Sequence, residues 1–302
     1  MDFKQTRQVS LAMAVFGLGL TTANPVLATP IIGVVGQNTL IGFDSAAPGI
    51  VTSTLTVTGL SGQLIRGIDT RPATGQLYAL GQAGTLFVID TVTGGATALP
   101  GTVPVGPGDL DFGVAFNPVP DRLRVVTATD LNLRVDPITG GTITDGALVY
   151  AAGDPGVGSN PLVTAVAYTN QVARATTTTL YGIDAARGTL VLQSPPNAGT
   201  LTTIGSLGLA LFPNGFGVGF DIDPVSGVAF ASLVPLTGGN GLYTVNLATG
   251  TASLLGEFGA NTVRDIAVGS LGAVAVPEPG TLALFGAALV GLAGLRRRQR
   301  KA

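Results

Sequence analysis

An internal repeat constrains the fold of this chain more than any other feature. One recurring unit is an apolar strand, an Asp or Asn, a turn around Gly, and a Thr-rich strand. Its polar turn residues are Asp44, Asp90, Asp136, Asp184 and Asn246. A second recurring unit lies between these, and its central apolar residues are Ile68, Val114, Val166, Phe220 and Ile266. Asp, Asn and Pro nucleate turns and Gly supplies a positive φ, so each unit is predicted to be two strands joined by a turn.

The spacing of the two units predicts a β-propeller. Two hairpins in each period of roughly 46 to 55 residues make a four-stranded antiparallel blade, repeated five times. The chain starts with a hairpin of one kind (39–57) and finishes with a hairpin of the other kind (263–276). Pairing these end hairpins completes a fifth blade and leaves few open strand edges. We therefore predict an all-β, five-bladed propeller over residues 29–276. A β-sandwich or a β-solenoid is the alternative, but neither explains the complementary ends.

Composition excludes several kinds of chemistry. The chain has no cysteine, which excludes disulfides and thiolate sites, and no histidine, which excludes a Ser-His-Asp triad and imidazole metal ligands. Between residues 29 and 280 there are eight arginines, no lysine and sixteen acidic residues, so the formal charge of this region is −8. A lysine-based mechanism is thereby excluded, and nucleic acid and anionic lipid are poor candidate partners. No cofactor or metal ion is predicted.

The N-terminus has the pattern of a secretory signal. Two basic residues within the first seven positions precede the apolar run Leu11–Leu20, and Val26–Ala28 offers small residues where a signal peptidase cleaves. We predict a signal peptide over residues 1–28, cleaved after Ala28 or alternatively after Ala23. A buried N-terminal helix is the other interpretation, but the run is short and follows positive charge.

The C-terminus combines three elements in a fixed order. Val276–Pro279 contains Pro-Glu-Pro, Thr281–Leu295 is an apolar run of 15 residues, and five basic residues follow. The run is short for a membrane span, which usually needs ~20 residues, and the basic cluster favours a cytoplasmic end. An ordinary permanent anchor is one interpretation.

The same stretch resembles the PEP-CTERM sorting signal. In that family, an exosortase of Gram-negative, exopolysaccharide-producing bacteria processes the signal. The resemblance implies that residues 277–302 form a sorting signal with a short apolar transmembrane helix, and that the protein is exported, tethered to the inner membrane, and then reaches the cell surface or the extracellular matrix. Signal peptidase and exosortase are the implied partners. The sorting residues are Pro277, Glu278, Pro279, Arg296, Arg297 and Arg298.

The body, from about Asn38 to Val268, is similar to a family of secreted bacterial proteins that carry a domain of unknown function. The similarity depends on the stretches "GIDTRPATGQLYAL", "FNPVPDRLRVV", "NPLVTAVAYTN" and "GLYTVNLATG". This resemblance brings no established activity and no catalytic residues to the chain.

Carboxylates give weak candidates for catalysis. Asp109 and Asp111, like Asp221 and Asp223, are two residues apart, and such residues share one face of a strand. Paired acids are the minimum for glycoside hydrolysis. Asp69 and Asp221 also depart from the Ala that other repeats carry at this position, and departures from a repeat can mark a grafted function. Calcium at the Asp turns is a further alternative, although an Asx-turn explains one carboxylate per turn.

Four arginines are candidate ligand-binding residues. A tight turn near Thr129 would place Arg124 opposite Arg134, and two like charges facing each other are destabilising unless an anion lies between them. That anion is either a nearby aspartate, such as Asp109 or Asp111, or a bound ligand such as a uronic acid. Two further candidates share a repeat position in adjacent blades and are expected to line the channel, Arg66 and Arg264.

Three classes of function follow from these observations. The sorting signal and the missing catalytic residue types favour an exported, non-catalytic protein that binds or organises surface polysaccharide. A carboxylate-based glycan hydrolase or lyase is the first alternative, and a protein-interaction scaffold at the cell surface is the second. The sequence favours a non-enzyme.

Overall fold

The computed structural model describes residues 28–272, except residues 107, 108, 110 and 214. Ala28, the predicted cleavage residue, is exposed at the start of this region. The rest of the predicted signal peptide, the C-terminal apolar helix and the six sorting residues lie outside the described residues. Within the described region, no helix is long and apolar enough to cross a membrane.

The fold is the predicted all-β propeller with five sheets. The first three strands, β1 (Pro30–Val35), β2 (Thr39–Asp44) and β3 (Ala47–Thr56), belong to the closing blade. Blade 1 contains β4 (Ile65–Arg71), β5 (Gln76–Gly81), β6 (Leu86–Ile89) and β7 (Ala96–Ala98). Blade 2 contains β8 (Phe112–Asn117), β9 (Arg122–Thr127), β10 (Asn132–Val135) and β11 (Thr142–Thr144).

The remaining strands complete the ring. Blade 3 contains β12 (Val149–Tyr150), β13 (Val163–Tyr168), β14 (Leu180–Asp184), β15 (Thr189–Gln193) and β16 (Thr200–Ser206), with a 3-10 helix at Pro196–Ala198. Blade 4 contains β17 (Gly219–Ile222), β18 (Ala229–Leu233), β19 (Gly241–Val245) and β20 (Ala252–Glu257). The last strand, β21 (Val263–Val268), joins the closing blade. The short β12 adds a fifth, parallel strand outside β16.

The closing blade joins the two ends of the chain, as predicted, but the share of each end differs. β21 pairs antiparallel with β1, with Ile32 opposite Ala267, and β2 and β3 follow outward. Three strands of this blade therefore come from the N-terminal end of the chain, and a single strand comes from the C-terminal end. The apolar strand β1 takes the place that the second strand of the expected 263–276 hairpin would have filled.

The innermost strands β4, β8, β13, β17 and β21 contact one another in a ring around the central channel. They run in the same direction, and antiparallel pairing within each blade then fixes where every turn lies. We call the end where the innermost strands begin the upper face, and the end where they finish the lower face. The connections between blades lie on the upper face.

Five hydrophobic cores hold the ring together, one at each junction between neighbouring blades. Successive side chains of a strand point to opposite faces, so each sheet contributes to two junctions. In β1, for example, Ile31 packs towards Phe230 of blade 4, whereas Ile32 packs towards Ile68 of blade 1. The outermost strands are largely exposed, in agreement with their Thr-rich sequences.

Asx-turns form at the repeated turn residues. The Oδ1 atoms of Asp90, Asp136 and Asn246 each accept backbone N–H groups from residues two and three positions further on. These turns join the third and fourth strands of their blades at the lower face. The prediction that Asp184 occupies the same turn as the other four residues is wrong. The turn at Asp184 joins the second and third strands of blade 3 and lies at the upper face. Blade 3 has a long connection between β13 and β14 (169–179), and its Asp turn falls one hairpin earlier than in the other blades.

Candidate functional site

Three buried aspartates connect neighbouring innermost strands around the channel. Asp69 lies on β4, Asp221 on β17 and Asp265 on β21. Each carboxylate accepts the N–H of the residue that follows it, at 2.7 to 2.9 Å. Each also accepts an N–H from the innermost strand of the next blade, donated by Phe116, Val268 and Ile68, respectively. Innermost strands have no neighbour on the channel side, so these carboxylates satisfy N–H groups that would otherwise be unpaired.

The environment of these carboxylates disfavours their charged forms. Burial is the largest cause that raises the pKa of each, and it raises the pKa of Asp221 to about 6. The pKa values of Asp69 and Asp265 are raised well above the usual range, by burial and by the charge of Asp221. The two backbone N–H groups lower each pKa but do not outweigh burial.

The other paired acids do not share a strand face. β8 begins at Phe112, so Asp109 and Asp111 lie in the connection before it, and Asp223 follows the end of β17. Asp109 accepts hydrogen bonds from the backbone N–H of Gly106 and the hydroxyl of Thr129, both at 2.7 Å. The expectation that each pair of acids shares one face of a strand is therefore wrong at both places.

Arg124 and Arg134 lie directly opposite each other on β9 and β10, as predicted. Asp145 lies between them, with Oδ2 at 2.7 Å from Nη1 of Arg124 and from Nε of Arg134. The internal anion is therefore Asp145, not Asp109 or Asp111. Arg124 is 1% exposed.

Polar side chains around Arg124 complete this network. Its remaining donors bind the hydroxyl of Tyr168 and the amide oxygens of Asn132 and Asn197. Burial alone would raise the pKa of Asp145, but the hydrogen bonds from Arg134 and Arg124 lower it. The network links blades 2 and 3 and supplies its own counter-ion.

Arg66 and Arg264 lie at the upper mouth of the channel. They occupy equivalent positions near the starts of β4 and β21, which are neighbours in the ring. Nη1 of Arg264 is 3.6 Å from Oδ1 of Asp111, and its guanidinium carbon is 5.0 Å from the ring centroid of Phe216. The structure thus brings together two candidate arginines and one candidate aspartate. We call Arg66, Arg264, Asp111 and Phe216 the upper-mouth cluster.

The charges of this cluster influence one another. Burial, and then the charge of Arg264, lower the pKa of Arg66, whereas Asp111 opposes this effect. Burial raises the pKa of Asp111 to about 6 despite both arginines. At neutral pH the cluster therefore carries two positive charges and one negative charge. Among the described residues, no group of three or more acidic side chains is arranged to hold a metal ion.

Sequence reasoning missed two residues that matter here, Asp265 and Asp145. Asp265 could have been found, because the aligned repeats carry Gly or Ala at its position, as at Gly67 and Ala165. Asp145 follows β11 and has no equivalent signal in the repeat pattern.

These features define a five-bladed propeller with a carboxylate-linked channel and a basic upper mouth. The chain belongs to the family described as domain of unknown function (DUF4394), whose model matches residues 39–267. A second model, the PEP-CTERM protein-sorting motif, matches residues 275–298. The protein is therefore an exported protein with a membrane-anchored C-terminal signal, and the motif implies processing by exosortase.

Solved structures show only distant similarity. A nidogen/laminin complex is 13% identical over 60% of this chain and 61% of that chain, with a TM-score of 0.40. A structural genomics protein of unknown function from Bacteroides thetaiotaomicron is 16% identical over 81% of this chain and 66% of that chain, with a TM-score of 0.48. Glutaminyl cyclase of Myxococcus xanthus is 13% identical over 69% of this chain and 83% of that chain, with a TM-score of 0.42. The chain thus matches less than two thirds of the first two structures. No curated protein matches the sequence.

Proposed function

We propose that this protein is a non-catalytic binding propeller that is exported and associates with extracellular polysaccharide. One observation carries the non-catalytic assignment: Asp69, Asp221 and Asp265 each direct both carboxylate oxygens at backbone N–H groups. A general acid or nucleophile needs an oxygen that faces the substrate. These carboxylates instead hold the blades together.

The direction of the chain at the end of the propeller supports a binding surface on the upper face. Leu271 packs against the core between the closing blade and blade 1, and the N–H of Gly272 donates to the carbonyl of Thr91 at 2.8 Å. Thr91 follows the end of β6, so this segment of the chain lies at the lower face. The sorting motif begins at residue 275. While the tail is attached to the membrane, the upper mouth would therefore point away from it.

Size-exclusion chromatography tests this proposal. The full-length protein, purified in a mild detergent, is mixed with exopolysaccharide of the producing bacterium, and neutral dextran of the same size serves as the control polymer. We expect co-elution with exopolysaccharide of unchanged length and no co-elution with dextran. Elution of the protein at its free position would contradict polysaccharide binding and favour a protein partner.

Shortened polymer would contradict the non-catalytic assignment and favour the hydrolase or lyase alternative. In that case Asp69→Asn and Asp221→Asn are the first variants to compare, since loss of cleavage in a variant that thermal unfolding shows to be folded would identify a catalytic carboxylate. Asp90→Asn, at an exposed turn, is the matched surface control.

A further inference from the structure

The upper-mouth cluster contains hydrogen-bonding groups that the described protein atoms leave unused. Nε of Arg66, Nε and Nη1 of Arg264 and Oδ1 of Asp111 are buried and have no hydrogen-bond partner within the described region of the chain. Buried polar groups in folded proteins are nearly always hydrogen-bonded. Nη1 of Arg264 and Oδ1 of Asp111 face each other at 3.6 Å, an ion pair that is too long for a hydrogen bond, whereas the Nε atoms of Arg66 and Arg264 face no acceptor among the described residues. Unsatisfied donors beside one opening therefore indicate a place prepared for an anionic ligand.

The fold places these groups around one opening. Arg66 and Arg264 are equivalent residues on adjacent innermost strands, so both side chains start at the same height beside the channel. Asp111 reaches the opening from the start of blade 2, and Phe216 from the connection that leads into blade 4. Contact with the aromatic ring restricts the guanidinium of Arg264. Its side chain is only 13% exposed.

The other basic groove on the propeller lacks this feature. A cavity of about 340 Å³ on blade 2 is lined by Arg122, Arg134 and Asp136. Both arginines there are already paired: Arg122 with Asp136 at 3.2 Å, and Arg134 with Asp145 at 2.7 and 2.8 Å. That groove therefore offers little uncompensated positive charge, and the upper mouth is the stronger site.

The charges and hydrogen-bonding groups of the cluster define the ligand class. With Asp111 ionised, one positive charge is left over, which matches one carboxylate better than a doubly charged phosphate. Arginine donors suit planar carboxylate oxygens. Oδ1 of Asp111 is ion-paired with Arg264 at 3.6 Å but accepts no hydrogen bond, so it can still accept from a sugar hydroxyl, a donor that a simple carboxylate lacks. A uronic acid carries a carboxylate and hydroxyl groups on the same ring.

We propose that the upper mouth binds a uronic acid residue of an acidic polysaccharide, with Arg66 and Arg264 donating to its carboxylate and Asp111 accepting from a ring hydroxyl. This assignment rests on the proposed polysaccharide binding and names the sugar that the propeller recognises. Phe216 covers the guanidinium of Arg264 and holds it in place. The site requires no reaction and no bond is broken.

Titration of the full-length protein in mild detergent with galacturonate oligosaccharides, followed by calorimetry, tests the assignment. Neutral galactose oligomers of the same length and free galacturonic acid are the comparison ligands, and sodium sulfate tests simple anion binding. The variants are Arg66→Gln, Arg264→Gln and the double variant, and Arg174→Gln is the control with the same change of charge. Thermal unfolding of each variant shows whether it is folded, and Arg66→Lys provides a second variant that retains the charge.

We expect the galacturonate oligomer to bind and the neutral oligomer not to bind. Each Arg→Gln substitution should weaken binding by roughly tenfold or more, because a hydrogen bond to a charged group is lost, whereas Arg174→Gln should leave it unchanged. Arg66→Lys should retain some of the affinity.

Unchanged affinity in a folded double variant would overturn the assignment. Equal binding of sulfate and galacturonate would also overturn it, since the site would then bind an adventitious ion only. Binding of exopolysaccharide without binding of galacturonate would refute the uronic acid site but leave the proposed function standing. Failure to bind any polysaccharide would refute both.

Discussion

Replacing Asp221 by Asn is expected to change how the stability of the propeller depends on pH. Asp221 is buried beside the channel, and its carboxylate accepts hydrogen bonds from the N–H groups of Ile222 at 2.7 Å and Val268 at 2.6 Å. An amide has nearly the same shape, but it can accept through only one of its two terminal atoms. The substitution therefore separates the titration of the carboxylate from its packing.

The expected magnitude follows from the pKa of Asp221, which burial raises to about 6 from its ordinary value of 3.8. The folded-state pKa lies above the unfolded-state value, so the protonated carboxyl of Asp221 stabilises the fold. This contribution is fully present below about pH 4. That contribution is lost as the pH rises through 6. At 1.36 kcal/mol per pKa unit, the loss is about 3 kcal/mol. The variant lacks this loss.

The amide nitrogen of Asn cannot accept a hydrogen bond, yet it would face an N–H donor. The substitution should therefore also cost about 1–3 kcal/mol of stability at every pH. At pH 4 the variant should therefore be the less stable protein by about this amount. At pH 7 it should be as stable as the wild type or more stable. The charge of Asp221 also raises the pKa of Asp69. Removing that charge therefore further favours the variant over the wild type at pH 7.

Urea denaturation at pH 4, 5, 6 and 7, followed by far-ultraviolet circular dichroism, measures both free energies of unfolding. Asp90→Asn is the control, because Asp90 is exposed and the N–H groups of Thr93 and Val92 lower its pKa. Its ordinary pKa of 3.8 is lowered in the folded protein, so most of its titration lies below about pH 5 and its difference from the wild type should change little between pH 5 and pH 7. If the difference between wild type and Asp221→Asn also stays constant across the range, the reasoning about the buried carboxylate is refuted.

Three further predictions concern the junctions and the upper mouth. Gly219→Ala should destabilise the protein by about 1–3 kcal/mol in urea denaturation, because the added Cβ would lie 2.6 Å from the Cα atom of Asp265. Asp145→Asn should cost about 3–5 kcal/mol in the same assay, because it removes the carboxylate that compensates the buried charge of Arg124. Galacturonate affinity measured by calorimetry should rise roughly fivefold from pH 7.5 to pH 5, because Asp111, with a pKa of about 6, loses its charge beside the two arginines.

Each of these predictions has a matched control. Gly95→Ala is the control for Gly219, because neither glycine has a positive φ and the added Cβ at Gly95 would meet only the hydroxyl oxygen of Thr93, at 3.4 Å. An equal loss there would show that crowding does not explain the result at Gly219. Asp136→Asn breaks an ion pair with a side chain that is 42% exposed and should cost no more than about 1 kcal/mol.

Asp111→Asn provides the control for the pH effect. It should remove most of the dependence of galacturonate affinity on pH. Persistence of the full dependence would assign it to another group, and the buried Asp265, whose pKa Asp111 also raises, would be the first to examine.

The sequence predicted the number of blades, the closure through the chain ends and the Asx-turns at the lower face. These features depend on the repeat period and on hydrogen bonds between residues two or three positions apart, such as Asp90 with Val92. Information of this kind is present in a short stretch of sequence. The prediction failed at Asp184, where a long connection before β14 moved a familiar local pattern to the opposite end of its blade, and at residues 263–276, where one strand formed within the described residues in place of the expected hairpin.

The candidate site shows the limit of this reasoning. Repeat alignment correctly placed Arg66 and Arg264 beside the same channel region, because equivalent positions of neighbouring blades lie side by side. It could not tell which acid accompanies which arginine. Asp145 meets Arg124 only because β9 and β10 pair in one register and the chain returns beside them after β11.

The sequence by itself determined the architecture, since alternating apolar residues and regularly spaced turns leave few other ways to bury the strands. Only the tertiary structure decided what the charged residues do. No neighbour within its own strand reveals the role of Asp265, yet its carboxylate binds the N–H of Ile68, 197 residues away in sequence. The pKa of a carboxylate and the unused donors of a guanidinium depend on burial and on such distant neighbours, and these exist only once the ring has closed.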